Sequence, residues 1–298
     1  MSAPRLLAFF AAALLALPAG ATTILFVGNS FTYGEPAGGP PLVKDFRPAS
    51  VTDLNGSGIG GVPALFKAMT AEAGLQYEVS LETAGGKSLD FHYRHKYDAI
   101  VKPFDVVVLQ SLSTLDIDQP GNPAMLVKYA GLFATALHAQ NPQVDVRLMA
   151  TWSRADQTYS KHGPWYGAPV DQMARDVRTG YDAAKSASPF IDGVIPVGQA
   201  WNRAIAAGLA DPNPYDGISP GQINLWAPDN FHASVYGYYL EALTIFGSIT
   251  GRDPRSLGAD DPVAHDIGID SATATALQAF AAAQLDAEKA ATAPTPVH

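Results

Sequence analysis

Residues 21–39 read ATTILFVGNSFTYGEPAGG. The apolar run Ile24 to Val27 has the length and composition of a strand buried on both faces. It stops at Gly28-Asn29-Ser30, with a Gly/Pro-rich tract directly behind. A chain reversal would need only the glycine. A serine placed here either caps a following helix or stands at the carboxyl edge of a sheet, where open parallel sheets bind ligands. Gly28 suits the second role, because a tight strand-to-helix turn needs a residue without Cβ if the serine is to project.

The rest of the chain repeats the strand–helix alternation. Short aliphatic runs at Gln76–Leu81, Phe104–Leu109, Val144–Ala150 and Ile191–Val197 read as further strands. Helical spacing covers 62–74, 124–142, 169–187, 235–251 and about 271–290. This pattern predicts an α/β fold: three layers, α/β/α, around a flavodoxin-like five-stranded parallel sheet. One domain is expected over 22–290, with no dividing linker and no internal repeat. The long connections 33–61 and 151–170 read as binding loops rather than plain turns.

Composition narrows the class. The first 21 of the 298 residues carry Arg5, an apolar run from Leu6 to Leu17 and a small-x-small end, Ala19-Gly20-Ala21. That is the pattern of a secretory signal peptide, cleaved after Ala21. The run is too short to cross a bilayer, which takes about 20 apolar residues. The expected product is a secreted or periplasmic protein with no membrane association after cleavage. Residues 291–298 read as a flexible tail. No cysteine is present, which excludes disulfides, thiol nucleophiles and a lipidated N-terminal cysteine. A formal net charge of −9 argues against nucleic-acid partners.

The segments after each strand collect polar groups. Asn29-Ser30 follows the first, Thr83-Ala84-Gly85-Gly86-Lys87-Ser88 the second, Gln110-Ser111-Leu112-Ser113 the third and Thr151-Trp152-Ser153-Arg154 the fourth. Beyond the fifth strand and a helix comes Asp229-Asn230-Phe231-His232. A hydroxyl, a glycine pair, a carboxamide, a carboxylate and an imidazole at one edge are the parts of serine-based acyl transfer. Each has a plainer reading alone. Asp229 could cap the helix that begins near Ala233, with His232 on the surface. Gly85 and Gly86 could form a simple turn, and Gln110 could satisfy loop backbone. The presentation of Ser30 resembles the α/β-hydrolase elbow in its logic, although Gly-x-Ser-x-Gly is absent.

In this order, GNSFT, TAGGKSL, VVLQSLS and DNFH resemble the SGNH (GDSL-type) hydrolase superfamily, in the branch that reads Gly-Asn-Ser-Phe-Thr. The resemblance runs from about residue 23 to 250, and its first and last blocks are the most specific. It implies a serine esterase with Ser30 as nucleophile, His232 as general base and Asp229 orienting the histidine. The oxyanion hole it implies combines the Ser30 N–H with an N–H at Gly86 or Gly85 and a third donor. The family's third donor is commonly an asparagine after the third strand, which this sequence lacks. Gln110 is the nearest carboxamide and Ser113 a weaker candidate.

No metal or organic cofactor is expected. His92 and His95 are spaced to share a metal, but no third ligand accompanies them. The four tryptophans, Trp152, Trp165, Trp201 and Trp226, all follow the fourth and fifth strands. Trp152 and Trp165 are the candidates for stacking on a sugar ring, against the alternative that large aromatics simply bury apolar area. The expected substrate is a small-molecule or carbohydrate ester with a short acyl group, such as acetyl. The competing readings are a low-activity or non-catalytic carbohydrate-binding protein and a nucleotide-binding protein. Absence of Gly-x-Gly-x-x-Gly after the first strand disfavours the latter.

Overall fold

The computed structural model describes residues 20–35 and 43–292. The expected signal peptide therefore lies outside the described residues except for Gly20 and Ala21, as do residues 293–298 of the expected tail. Strands are β1 (Thr22–Gly28), β2 (Thr52–Asp53), β3 (Tyr77–Thr83), β4 (Val106–Leu109), β5 (Asp145–Ala150) and β6 (Gly193–Pro196). The helices in the first half are α1 (Ser30–Tyr33), α2 (Gly61–Glu72), α3 (Leu89–His95), α4 (Tyr97–Ile100) and α5 (Ala124–Gln140). Those in the second half are α6 (Ala155–Tyr159), α7 (Gln172–Ala187), α8 (Val197–Ala206), α9 (Val235–Thr250), α10 (Pro262–Asp266) and α11 (Ser271–Thr292).

The strands form one parallel sheet in the order β2-β3-β1-β4-β5-β6. The expected five strands are all present, and the sheet has a sixth. That strand, β2, is two residues long and pairs Thr52 and Asp53 with Ser80 and Leu81 of β3 at the edge. It lies inside the stretch expected to be a loop, 33–61. The expected strand Ile191–Val197 also ends earlier, because Val197 opens α8.

β1 explains the layering. Ile24, Leu25, Phe26 and Val27 are all fully buried. Alternate side chains point to opposite faces, so Ile24 and Phe26 enter the core under α2, α9 and α11 while Leu25 and Val27 enter the core under α5 and α7. On the second face α7 presents one stripe, with Met173, Val177, Tyr181 and Ala184 buried.

From β1 the chain goes to β2 and β3 on one side and then crosses to β4 on the other. The strand order thus reverses at β1, and the crevice of such a sheet opens at the carboxyl end of that switch point. In register, Val27 lies opposite Glu82 and Leu109, and Gly28 opposite Thr83. The segments after β1, β3 and β4 therefore emerge side by side.

Candidate active site

The elbow after β1 is built by Asn29, not by the serine. Asn29 caps α1, its side-chain oxygen accepting from the Phe31 N–H at 3.1 Å. Its amide donates to the Lys87 carbonyl at 2.9 Å and the Ser111 carbonyl at 3.2 Å. One side chain thus ties the segments after β3 and β4 to the elbow. Ser30, relieved of capping, turns its hydroxyl outward. Gly28 is required by close approach: a Cβ there would stand 2.2 Å from Thr32 Oγ1 and 2.7 Å from Gln110 Oε1.

Ser30 and His232, 202 positions apart, meet at 2.8 Å between Oγ and Nε2. On the other side of the ring, Nδ1 lies 2.7 Å from Asp229 Oδ2. The Nδ1–H donates to the carboxylate, which leaves the Nε2 lone pair to accept from the Ser30 hydroxyl. Asp229 Oδ1 accepts from the backbone N–H groups of Phe231 and His232, at 3.0 and 2.9 Å. The loop is closed by Ala227 N–H donating to the His232 carbonyl at 2.8 Å. Asp229 thus orders its own loop and orients the histidine, so the capping alternative does not describe it. The Tyr238 hydroxyl of α9 donates to the Glu35 carbonyl at 2.9 Å, and the Ser30 carbonyl lies 3.3 Å from it.

Burial holds the His232 imidazole below its ordinary value of 6.5. The hydrogen bond to Asp229 opposes that shift, and the positive charge of Arg154 adds to it. A histidine with this environment is mainly neutral at pH 7 and charges as the pH falls further.

A cleft of about 170 Å³ opens over Ser30. Gly86, Leu112, Ser113, Arg154 and Phe231 are among the residues that line it. Gly86 has φ +67°, which suits glycine, and its N–H and that of Ser30 meet no acceptor among the described residues. Gly85 instead packs beneath the Tyr33 hydroxyl. Between the two glycines, only Gly86 therefore borders the cleft.

Gln110 is corrected. Its side chain is fully buried, with Oε1 accepting from the Asn29 N–H at 2.9 Å and the Thr32 hydroxyl at 3.0 Å. Its amide N–H is taken by the Ser111 carbonyl. Gln110 holds the elbow in shape and does not border the cleft.

Trp152 and Trp165 are corrected too. Trp152 is fully buried, stacked on Trp201 at 4.6 Å and packed at a tilt against Phe31 at 4.5 Å, so it supports the floor beneath Ser30 and offers no face to a ligand. Trp165 is buried elsewhere; its indole N–H donates to Asp176 at 2.7 Å, and it borders a separate depression with Pro120 and Thr179. Aromatic area at the cleft comes from Phe31 and Phe231. His92 is fully buried and bonded to Glu82, while His95 lies against Phe91.

Arg154 is the residue that sequence reasoning passed over. It was visible only as a polar residue after a strand. Its guanidinium is clamped by both oxygens of Asp156, at 2.9 and 2.6 Å, and lies 3.6 Å from the centre of the Phe231 ring. Phe231 in turn lies at a tilt against His232, 3.9 Å between centroids.

No protein-family model matches the chain, and no curated protein matches it in sequence. Solved structures do. A DUF4886 family protein from Bacteroides uniformis superposes with a TM-score of 0.57 at 16% identity, covering 89% of this chain and 95% of that one. A protein classed as an SGNH hydrolase from Slackia heliotrinireducens gives 0.51 at 18% identity, over 77% of this chain and all (100%) of its own. A protein classed as a GDSL-like lipase from Parabacteroides merdae gives 0.50 at 15% identity, over 77% and 95%. The strand order, the position of the elbow and these superpositions agree on one architecture: the chain has the SGNH-hydrolase fold.

Proposed function

We propose that this protein is an exported serine esterase that hydrolyses carboxylic esters of short acyl groups. The observation that carries the reading is the continuous hydrogen-bonded line Asp229–His232–Ser30, with both links under 3 Å (2.7 and 2.8 Å). A binding protein has no need to aim a buried imidazole lone pair at a hydroxyl. Export rests on the sequence of the first 21 residues; a cut after Ala21 would leave β1 whole, since that strand begins at Thr22.

In this reading the Ser30 hydroxyl gives its proton to His232 Nε2 as Oγ attacks the ester carbonyl. Asp229 stabilises the imidazolium that forms. The N–H groups of Ser30 and Gly86 hold the oxyanion. His232 then protonates the departing alcohol, and the same base activates the water that hydrolyses the acyl-enzyme.

The cleft supports a short acyl group. Its volume of about 170 Å³ is below the range of roughly 300–1,000 Å³ that holds drug-sized ligands. Carbohydrate acetates remain within the proposed class, although neither Trp152 nor Trp165 is available to stack on the sugar. The test uses p-nitrophenyl esters and a p-nitrophenyl phosphonate. The phosphonate is expected to leave a single adduct on Ser30, read by peptide mass spectrometry. Specificity kcat/KM is expected to fall at least about tenfold from butyrate to octanoate, about 1.4 kcal/mol. A folded protein that takes no adduct, or takes it on other serines, contradicts the reading.

The pH profile follows from the histidine. Only the neutral imidazole can accept the proton, so kcat/KM is lost as the pH drops through the His232 pKa. Because burial places that value below 6.5, more than half of the full activity is expected to remain at pH 6.5, with the midpoint of the decline in more acidic buffer. An acid limb centred above 7 would mean that another group controls the rate.

A further inference from the structure

We propose that the third oxyanion donor is the Ser113 hydroxyl, held in place by Arg154. The assignment rests on the esterase reading above.

Few side chains bordering the cleft have a proton to give. Asn29 has both amide hydrogens committed to the Lys87 and Ser111 carbonyls. Thr114 donates its hydroxyl to the Asp116 carbonyl at 3.0 Å. Ser30 is the nucleophile, and Gln110 has turned away. Ser113 remains. It is nearly buried, borders the cleft with Ser30 and Gly86, and accepts from Arg154 Nη1 at 3.4 Å. Among the described residues its own proton goes to no acceptor. A hydroxyl that accepts from a guanidinium is a stronger donor through its remaining O–H.

The local backbone is built to hold that hydroxyl still. Leu115 has φ +67°, a left-handed conformation that is uncommon outside glycine. The turn is closed by Leu115 N–H donating to the Leu112 carbonyl at 2.9 Å. The Leu115 side chain is fully buried, and Gly180 of α7 makes room for it: a Cβ there would come within 2.5 Å of Leu115 Cδ1. Strain of this kind persists where the surroundings over-determine a conformation, and it clusters at functional sites. Arg154 is fixed as well, by its two bonds to Asp156 and by the face of Phe231. Both members of the pair are therefore held before substrate arrives, which is the condition for electrostatic stabilisation of a developing charge.

The experiment is steady-state hydrolysis of p-nitrophenyl acetate by the wild type, Ser30→Ala, Ser113→Ala, Ser113→Thr, Arg154→Met and the double variant Ser113→Ala/Arg154→Met, each checked for folding by thermal melting. Ser113→Ala is expected to lower kcat about 10²-fold with KM unchanged, and Ser113→Thr to keep most of the activity. Arg154→Met is expected to lower kcat less in the Ser113→Ala background than alone, because it acts in part through the serine. A Ser113→Ala kcat equal to wild type overturns the assignment and leaves the esterase reading standing. Equal losses in the Ala and Thr variants show a packing role and also overturn it. A wild type no faster than Ser30→Ala overturns both.

Discussion

Ser30→Ala is expected to reduce kcat for a short-chain ester by about 10⁵- to 10⁶-fold while leaving the melting temperature nearly unchanged. The substitution removes one hydroxyl that caps nothing, because Asn29 holds the cap of α1. The bonds of the elbow run through the Asn29 side chain, Gln110 and the backbone, and all of them survive it. His232→Ala is expected to cost a similar factor, and the double variant no more than either single one. In the proposed mechanism the two groups, 2.8 Å apart, act as one unit, and a nucleophile without its base is as idle as a base without its nucleophile. What activity remains would come from the N–H groups of Ser30 and Gly86 and from binding, neither of which needs the pair. Steady-state kinetics on the three variants checks this. Losses that multiply in the double variant would show that serine and histidine work independently, and the proposed mechanism would fail.

Several of these arrangements are legible in the sequence. β1 is legible because a strand buried on both faces leaves an unbroken apolar run, and Ile24 to Val27 is one. The edge on which Ser30, Gly86, Asp229 and His232 converge followed from the rule that parallel sheets bind at their carboxyl ends. β2 was not legible. Two residues, Thr52 and Asp53, have no periodicity, and only the edge of β3 makes them a strand. The end of β6 was hidden for a related reason. Pro196-Val197-Gly198 continues the apolar run, while the chain has already turned into α8.

Side-chain commitments were the harder part. Gln110 and Ser113 both looked able to face an oxyanion, and the carboxamide made Gln110 the stronger candidate in VVLQSLS. The choice is made by Asn29 and Thr32, which arrive from about eighty positions earlier and engage the Gln110 carbonyl oxygen. The tryptophans follow the same logic. Their identity says that they bury area, but Trp152 is covered because Phe31 and Trp201 pack against it. Arg154 gained its place from Phe231 and Asp156, partners that a strand-end residue does not advertise.

The carboxylate carries the second large effect. Asp229→Asn is expected to lower kcat by about 10³- to 10⁴-fold, although the change is isosteric and the side chain is a third exposed (34%). The reason is which oxygen is already engaged. Oδ1 accepts from two backbone N–H groups, Phe231 and His232, at 3.0 and 2.9 Å. Those donors would keep the oxygen of an asparagine amide in the same position and present its NH₂ to His232. The ring would then have to accept at Nδ1, and its single proton would move to Nε2. A protonated Nε2 cannot take the proton of Ser30, so the nucleophile loses its base with no atom displaced. The effect should fall on kcat rather than KM, because the cleft and the N–H donors are untouched. Nitrogen-15 spectra of the imidazole would report the change of tautomer directly, with Nε2 carrying the proton in the variant. Asp229→Asn retaining more than a tenth of wild-type kcat, or keeping its proton on Nδ1, would remove Asp229 from the mechanism and leave Ser30 and His232 as a dyad.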